Sequence, residues 1–146
     1  MAQHFLDSSA LVKRYRQEEG TDRILEVLAT SERLVISRLA HVEVTAALVR
    51  RARTVNFSAD DLSLVLQAFE REVRDTFEII ELSTPLMFRA VDLARAHALR
   101  GADSIQLASA IISRPQPPTD YFLVAADREL LDAATTVGLA VIDPTQ

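Results

Sequence analysis

Short apolar runs alternate with stretches of helical periodicity along this chain. QHFLD, RLVIS, FEIIEL, YFLVAA and LAVID each read as a short buried strand. A helix is predicted from about Ser9 to Tyr15, and another after Gly20, where Ile24, Leu25 and Leu28 supply an apolar face. A long helix is predicted from about Leu39 to Arg53. SADDLSLVLQAFEREV follows as a further helix, with Ser58 as its N-cap. Pro85 suits the first turn of a helix ending near Arg100. After Gly101, Ile105, Leu107, Ala108 and Ile111 recur at helical spacing until the break RPQPPT. A short helix then leads to Gly138 and the last strand.

Strands alternating with helices pair in parallel and need cover on both faces. The predicted fold is α/β, a three-layer α/β/α sandwich with a mostly parallel central sheet. No repeat, linker or low-complexity segment interrupts it, and residues 1–146 read as one domain.

Composition narrows the chemistry. Cysteine is absent, which removes disulfides, thiolate zinc sites and cysteine nucleophiles. Only three glycines occur, Gly20, Gly101 and Gly138, too few and too scattered for a Gly-rich phosphate loop. The apolar part of MAQHFLDSS is too short for a signal peptide and no run approaches a membrane span, so the cytoplasm is the expected location. A net charge of −5 opposes nucleic-acid binding through bulk positive charge and asks for a local basic patch or a bound cation. Lys13, Arg14 and Arg16 after the first strand, and Arg50, Arg51 and Arg53 at the end of the long helix, are the candidate basic runs. Solvated surface is the alternative for each.

Four carboxylates stand out by position. Asp7 and Asp127 follow apolar strands, at the end of a parallel sheet where ligands bind. Either also suits the N-cap of the next helix. Asp103 opens a helix and shares a face with Leu107, where helix capping is again the simpler reading. Glu43 lies mid-helix, away from free N–H groups, with Leu39, Ala46 and Ala47 one turn away. A lone carboxylate on such a face costs several kcal/mol unless compensated. An edge position open to water, or an Arg partner, is the alternative. If all four converge, a hard divalent cation relieves their repulsion; Mg²⁺ or Mn²⁺ accepts carboxylate and water without histidine or cysteine. Such a site serves phosphodiester hydrolysis by acidifying water and offsetting phosphate charge.

These residues resemble the PIN-domain nucleases, and most closely the VapC-type toxins of type II toxin–antitoxin systems, over nearly the whole chain. FLDSSALVKRY is similar to the family's opening D-x-S-A-L-V-K segment, with Asp7 as first acid and Ser9 as the hydroxyl beside it. Glu43 in HVEVTAAL matches the second acid. Asp103 matches the third, in an L-R-x-x-D-x-x-x-L-A-x-A pattern. Asp127 in LVAADREL matches the fourth, although Ala125 stands where the family commonly has Thr or Ser. Glu129, two positions on, is a further candidate acid, with an exposed helix position as the simpler reading. The resemblance implies an Mg²⁺-dependent endoribonuclease that cuts RNA to block translation. It implies a homodimer and a cognate antitoxin laid over the active-site groove.

Two other readings compete. A receiver-type signalling domain needs a phosphorylatable Asp after the third strand, where FEIIELST offers only Ser83 and Thr84. A catalytically inactive PIN-like interaction module has no reason to keep all four acids. The histidines His4, His41 and His97 form no Ser-His-Asp pattern, and His41 points away from Glu43. The stripe Leu62, Leu64, Val65, Leu66 and Phe69 reads as core, or in part as a dimer or antitoxin surface.

Overall fold

The computed structural model describes all residues from 1 to 146. Its five strands are β1 (Gln3–Leu6), β2 (Arg33–Ser37), β3 (Glu78–Ile80), β4 (Tyr121–Val124) and β5 (Ala140–Ile142). They form one sheet of order β3-β2-β1-β4-β5, and every pairing is parallel. The helices are α1 (Ser8–Leu11), α2 (Thr21–Thr30), α3 (Arg38–Thr54), α4 (Ala59–Asp75), α5 (Thr84–His97), α6 (Gly101–Ile112) and α7 (Arg128–Thr136).

Alternate strand residues feed two separate cores, as the pleat requires. Phe5, Val35 and Leu123 pack with Leu86, Leu93, Leu107 and Leu130 of α5, α6 and α7. Leu6, Leu34, Ile36 and Val124 face the other way, onto Leu11, Ile24, Val44, Leu48 and Phe69 of α1 to α4. The sandwich is therefore three-layered as predicted, with an entirely parallel sheet.

The chain runs outward from β1 to β3, then returns to place β4 on the other side of β1. That reversal opens a crevice beyond the carboxyl ends of β1 and β4. Asp7 and Asp127 are the residues at its two sides.

Several sequence boundaries shift for local reasons. The first helix becomes one α-turn followed by a 3₁₀ turn over Val12–Arg14. The third strand keeps only Glu78–Ile80, because the sheet edge gives FEIIEL one neighbour. Helix α5 stops at His97, not near Arg100, because Ala98 turns left-handed at φ 53°. Ser83 caps α5 by accepting from Leu86 N at 3.2 Å, the structural use of the position a receiver domain would phosphorylate. In α4, Phe69 is buried while Leu64 is 64% exposed, so the apolar stripe is only partly core. No helix is long and apolar enough to cross a membrane.

Candidate active site

All four predicted acids line one cleft of about 290 Å³, together with Ser8, Ser9, Arg100 and Ala102. They arrive from four separate segments: the end of β1, the middle of α3, the first turn of α6 and the turn after β4. Each is held differently.

Asp7 is 4% exposed and is the N-cap of α1. Its Oδ2 accepts from Ser9 N at 3.1 Å and from the Ser9 hydroxyl. Ser9 Oγ in turn accepts from Ala126 N at 3.0 Å, pinning α1 to the end of β4. Burial pushes the Asp7 carboxyl up to about 6; the Ser9 bonds oppose this, and the charges of Glu43 and Asp103 add to it. Capping and membership of the acid cleft thus coexist in this residue.

Glu43 sits beside the buried stripe of α3 rather than on it. Ala40, Val44 and Leu48 are the buried residues, whereas Leu39 and Ala47 are half-buried and Ala46 is exposed. Its partner is not an arginine. Glu43 Oε1 accepts from Ser8 Oγ at 2.7 Å and from Gln106 Nε2 at 3.3 Å. Gln106, itself buried, also donates to Ser8 Oγ at 2.9 Å and accepts from Ser37 Oγ at 2.7 Å. Ser37 closes the network by capping α3 through Ala40 N at 3.1 Å.

Asp103 lies in the first turn of α6 but accepts no backbone hydrogen bond, so capping does not explain it. Its Oδ2 is buried and without a hydrogen-bond partner; Arg100 Nε stands 3.6 Å away. Burial raises its pKa, the charge of Asp127 adds to this, Arg100 opposes it, and Glu43 and Glu129 contribute further. Asp127 caps α7 through Leu130 N at 3.0 Å, while its Oδ2 takes Arg100 Nη2 at 3.3 Å. Ala125, where the family commonly has a hydroxyl, is fully buried in the core under α5 to α7.

The cleft suits a divalent cation by its donor set: oxygen only, one buried carboxylate oxygen unpartnered, and one carboxyl destabilised in its charged form. No three carboxylates or imidazoles close into a ready cage.

The candidate basic run after β1 does not serve this cleft. Lys13 is buried and pairs with Glu18 at 2.9 Å, Arg16 pairs with the same Glu18 at 2.6 Å, and Arg14 reaches Glu72 at 3.6 Å. The cation at the acids is Arg100, which the sequence reading passed over. Its signal was electrostatic: a basic residue at a helix N-terminus opposes the macrodipole and needs another reason. Gln106 and Ser8 were also missed. A glutamine inside SIQLASA, one turn after Asp103, is the trace the network leaves in sequence.

Residues 4–135 match the sequence model of the PIN domain. Ribonuclease VapC45 of Mycobacterium tuberculosis (strain CDC 1551 / Oshkosh) is 36% identical over 110 residues, spanning 73% of this chain and 74% of the relative. Ribonuclease VapC49 of strain ATCC 25618 / H37Rv shows the same identity and coverage. Two solved structures share the fold. A toxin–antitoxin complex from Klebsiella pneumoniae superimposes with a TM-score of 0.67 at 21% identity, over 97% of this chain and 98% of that one. FitAcB from Neisseria gonorrhoeae gives 0.72 at 16% identity, over the same shares. The family model and the mycobacterial relatives, agreeing with a parallel sheet that gathers four acids at its reversal point, show that this chain belongs to the PIN-domain family and is of the VapC type.

Proposed function

We propose that this chain is the toxin of a toxin–antitoxin pair: a single-domain endoribonuclease that hydrolyses RNA phosphodiester bonds and so inhibits translation. The observation that carries this reading is the gathering of Asp7, Glu43, Asp103 and Asp127 into one cleft. The ribonuclease names of the mycobacterial relatives and the toxin–antitoxin assembly of the Klebsiella neighbour support it.

Asp7 and Asp103 would hold Mg²⁺, or Mn²⁺ in its place, with Glu43 and Asp127 completing the anionic surround. When bound, the cation supplies Lewis-acid compensation of the phosphate charge and acidifies the attacking water. The protein side of the reaction follows from the contacts. Ser9 fixes the orientation of Asp7. Ser8 and Gln106 engage only Oε1 of Glu43, leaving Oε2 to accept the proton of the attacking water. Arg100, at the mouth, meets the phosphate as it enters.

An antitoxin chain and a second copy of this protein complete the assembly in this reading. Met87, Phe88 and Val91 leave an apolar strip exposed on α5, in keeping with a covered face. The cytoplasm, where the RNA substrate resides, is the proposed location.

The test is cleavage of total cellular RNA by the purified protein in Mg²⁺ or Mn²⁺. Asp7→Asn and Asp103→Asn are each expected to abolish it, as is a chelator, with the fold retained. Persistence of cleavage in both variants would sink the mechanism. Expression of the chain alone should arrest growth, and the two variants should not.

A further inference from the structure

The acid cleft can anchor one phosphate, but a protein of net charge −5 still has to hold the rest of a polyanion. The face of α3 that carries Glu43 leads directly to cations. Ala47 is one turn along, and Arg50 and Arg51 are two turns along, at the i, i+4 and i+7/i+8 positions that share a helix face. There Arg16, Ala47, Arg50, Arg51 and Thr54 line a shallow, open depression of about 350 Å³, distinct from the acid cleft, that no carboxylate lines. Arg50 and Arg51 take part in none of the ion pairs of the molecule. Arg16 shares Glu18 with Lys13, so that trio keeps a net positive charge.

Arg50 and Arg51 are exposed and carry no intramolecular ion pair, so their guanidinium groups are free to meet an anion, and their planar fork matches phosphate geometry. The distance also fits. Seven or eight residues of helix rise carry the chain about 10–12 Å from Glu43, roughly three nucleotides of a stacked strand at ~3.4 Å each. We infer that Arg16, Arg50 and Arg51 form a phosphate-binding subsite for single-stranded RNA, engaging the backbone a few nucleotides from the bond held at the acids. The inference rests on the nuclease reading for the identity of its ligand. An acidic segment of a partner protein is the competing occupant, and RNA is favoured because the same helix face joins the subsite to the acid cleft.

The experiment measures binding of a fluorescent single-stranded RNA by anisotropy across a salt series. The host is Asp103→Asn, which leaves the RNA intact, with and without Arg50→Gln and Arg51→Gln together. Arg23→Gln with Arg74→Gln, the same charge change on α2 and α4, is the control for net charge. The expected result is binding about tenfold weaker at low salt, with a salt dependence shallower by about 1.4 in log–log slope, two charges at ~0.7 each. The control pair should change the slope little. In the active protein, Arg50→Gln with Arg51→Gln should raise KM and leave kcat within about twofold, the signature of lost uniform binding. Unchanged affinity and slope overturn the subsite even where wild-type protein cleaves RNA. A wild-type protein that binds RNA through these arginines but never cuts it keeps the subsite and removes the nuclease reading. Unchanged RNA binding together with lost binding of polyglutamate assigns the arginines to a protein partner and overturns the proposal.

Discussion

Ser8 donates its hydroxyl to Glu43 Oε1 at 2.7 Å and so joins the first turn of α1 to the middle of α3. Neither residue is fixed by its own helix. The bond exists because Gln106, reaching from α6, donates to the same pair at 2.9 and 3.3 Å while Ser37 holds its other end. Three helices and the end of β2 thereby meet at one amide. In a buried setting such a network is worth more satisfied than its separate bonds, and costs more when broken.

The first prediction concerns that amide. Gln106→Leu keeps the volume but strands the Ser37 hydroxyl and loosens Ser8 and Glu43. A loss of about 1–3 kcal/mol in urea unfolding is expected. The kcat for RNA cleavage should fall about tenfold or more with KM little changed, since Gln106 is buried behind Glu43 and does not line the cleft. Gln106→Glu in its ionised form has no donor for Ser8 or Glu43 and sets a second negative charge beside Glu43, so it should not rescue kcat at pH 7.5. A normal kcat in Gln106→Leu would make the network purely structural.

Asp7 sets the pH response of the apo protein. Its folded pKa is raised to about 6 from 3.8, so between those values the folded state binds more protons than the unfolded one. Stability therefore falls as pH rises through that window, and above it the destabilisation reaches about 3 kcal/mol. Asp7→Asn removes the charge and keeps an N-cap residue. The variant should unfold at higher denaturant than wild type at pH 7.5, the gap shrinking toward pH 4. Equal midpoints at pH 7.5 would contradict this account of the buried charge.

How far the sequence could reach is visible in these same residues. The strands, Asp7 and Asp127 at strand ends, Glu43 within a helix and Asp103 at a helix start follow from periodicity, which is a local pattern; the strand order, and with it the reversal after β3, is set by long-range pairing and does not. Whether Asp7 and Asp127 cap helices or line a cleft was undecidable locally, and the fold makes them do both. For Glu43 the local pattern leaves open an edge position, an arginine partner or convergence with the other acids; its partners in the fold are Ser8 and Gln106, 35 and 63 residues away, which no window contains. Lys13 and Arg16 form a candidate basic run in sequence, yet in the fold both pair with Glu18 and neither lines the acid cleft.

Metal linkage gives a third prediction. A cation that binds only the folded acids stabilises by mass action, about 2.7 kcal/mol at a hundred times Kd. Mg²⁺ or Mn²⁺ should raise the thermal midpoint at pH 7.5. The shift should vanish in Asp103→Asn and shrink as pH falls through about 6, where protons compete for Asp7. A midpoint indifferent to either ion at pH 7.5 would remove the metal from the site.

Arg100 bridges Asp103 and Asp127 across the mouth, at 3.6 and 3.3 Å, with its own side chain three-quarters exposed. Such solvent-facing pairs are worth a fraction of a kcal/mol to about 1 kcal/mol each. That is enough to compete with a weakly held ion for the same oxygens. Arg100→Gln should therefore bind Mn²⁺ about threefold to tenfold more tightly in calorimetry. The same variant should need more RNA to reach half-maximal cleavage, because the cation that meets the phosphate is gone. The two effects run in opposite directions, and that separates the role from a merely structural one: a side chain that only steadied the first turn of α6 would weaken both together. Weaker Mn²⁺ binding in Arg100→Gln would therefore count against any competition between the guanidinium and the ion.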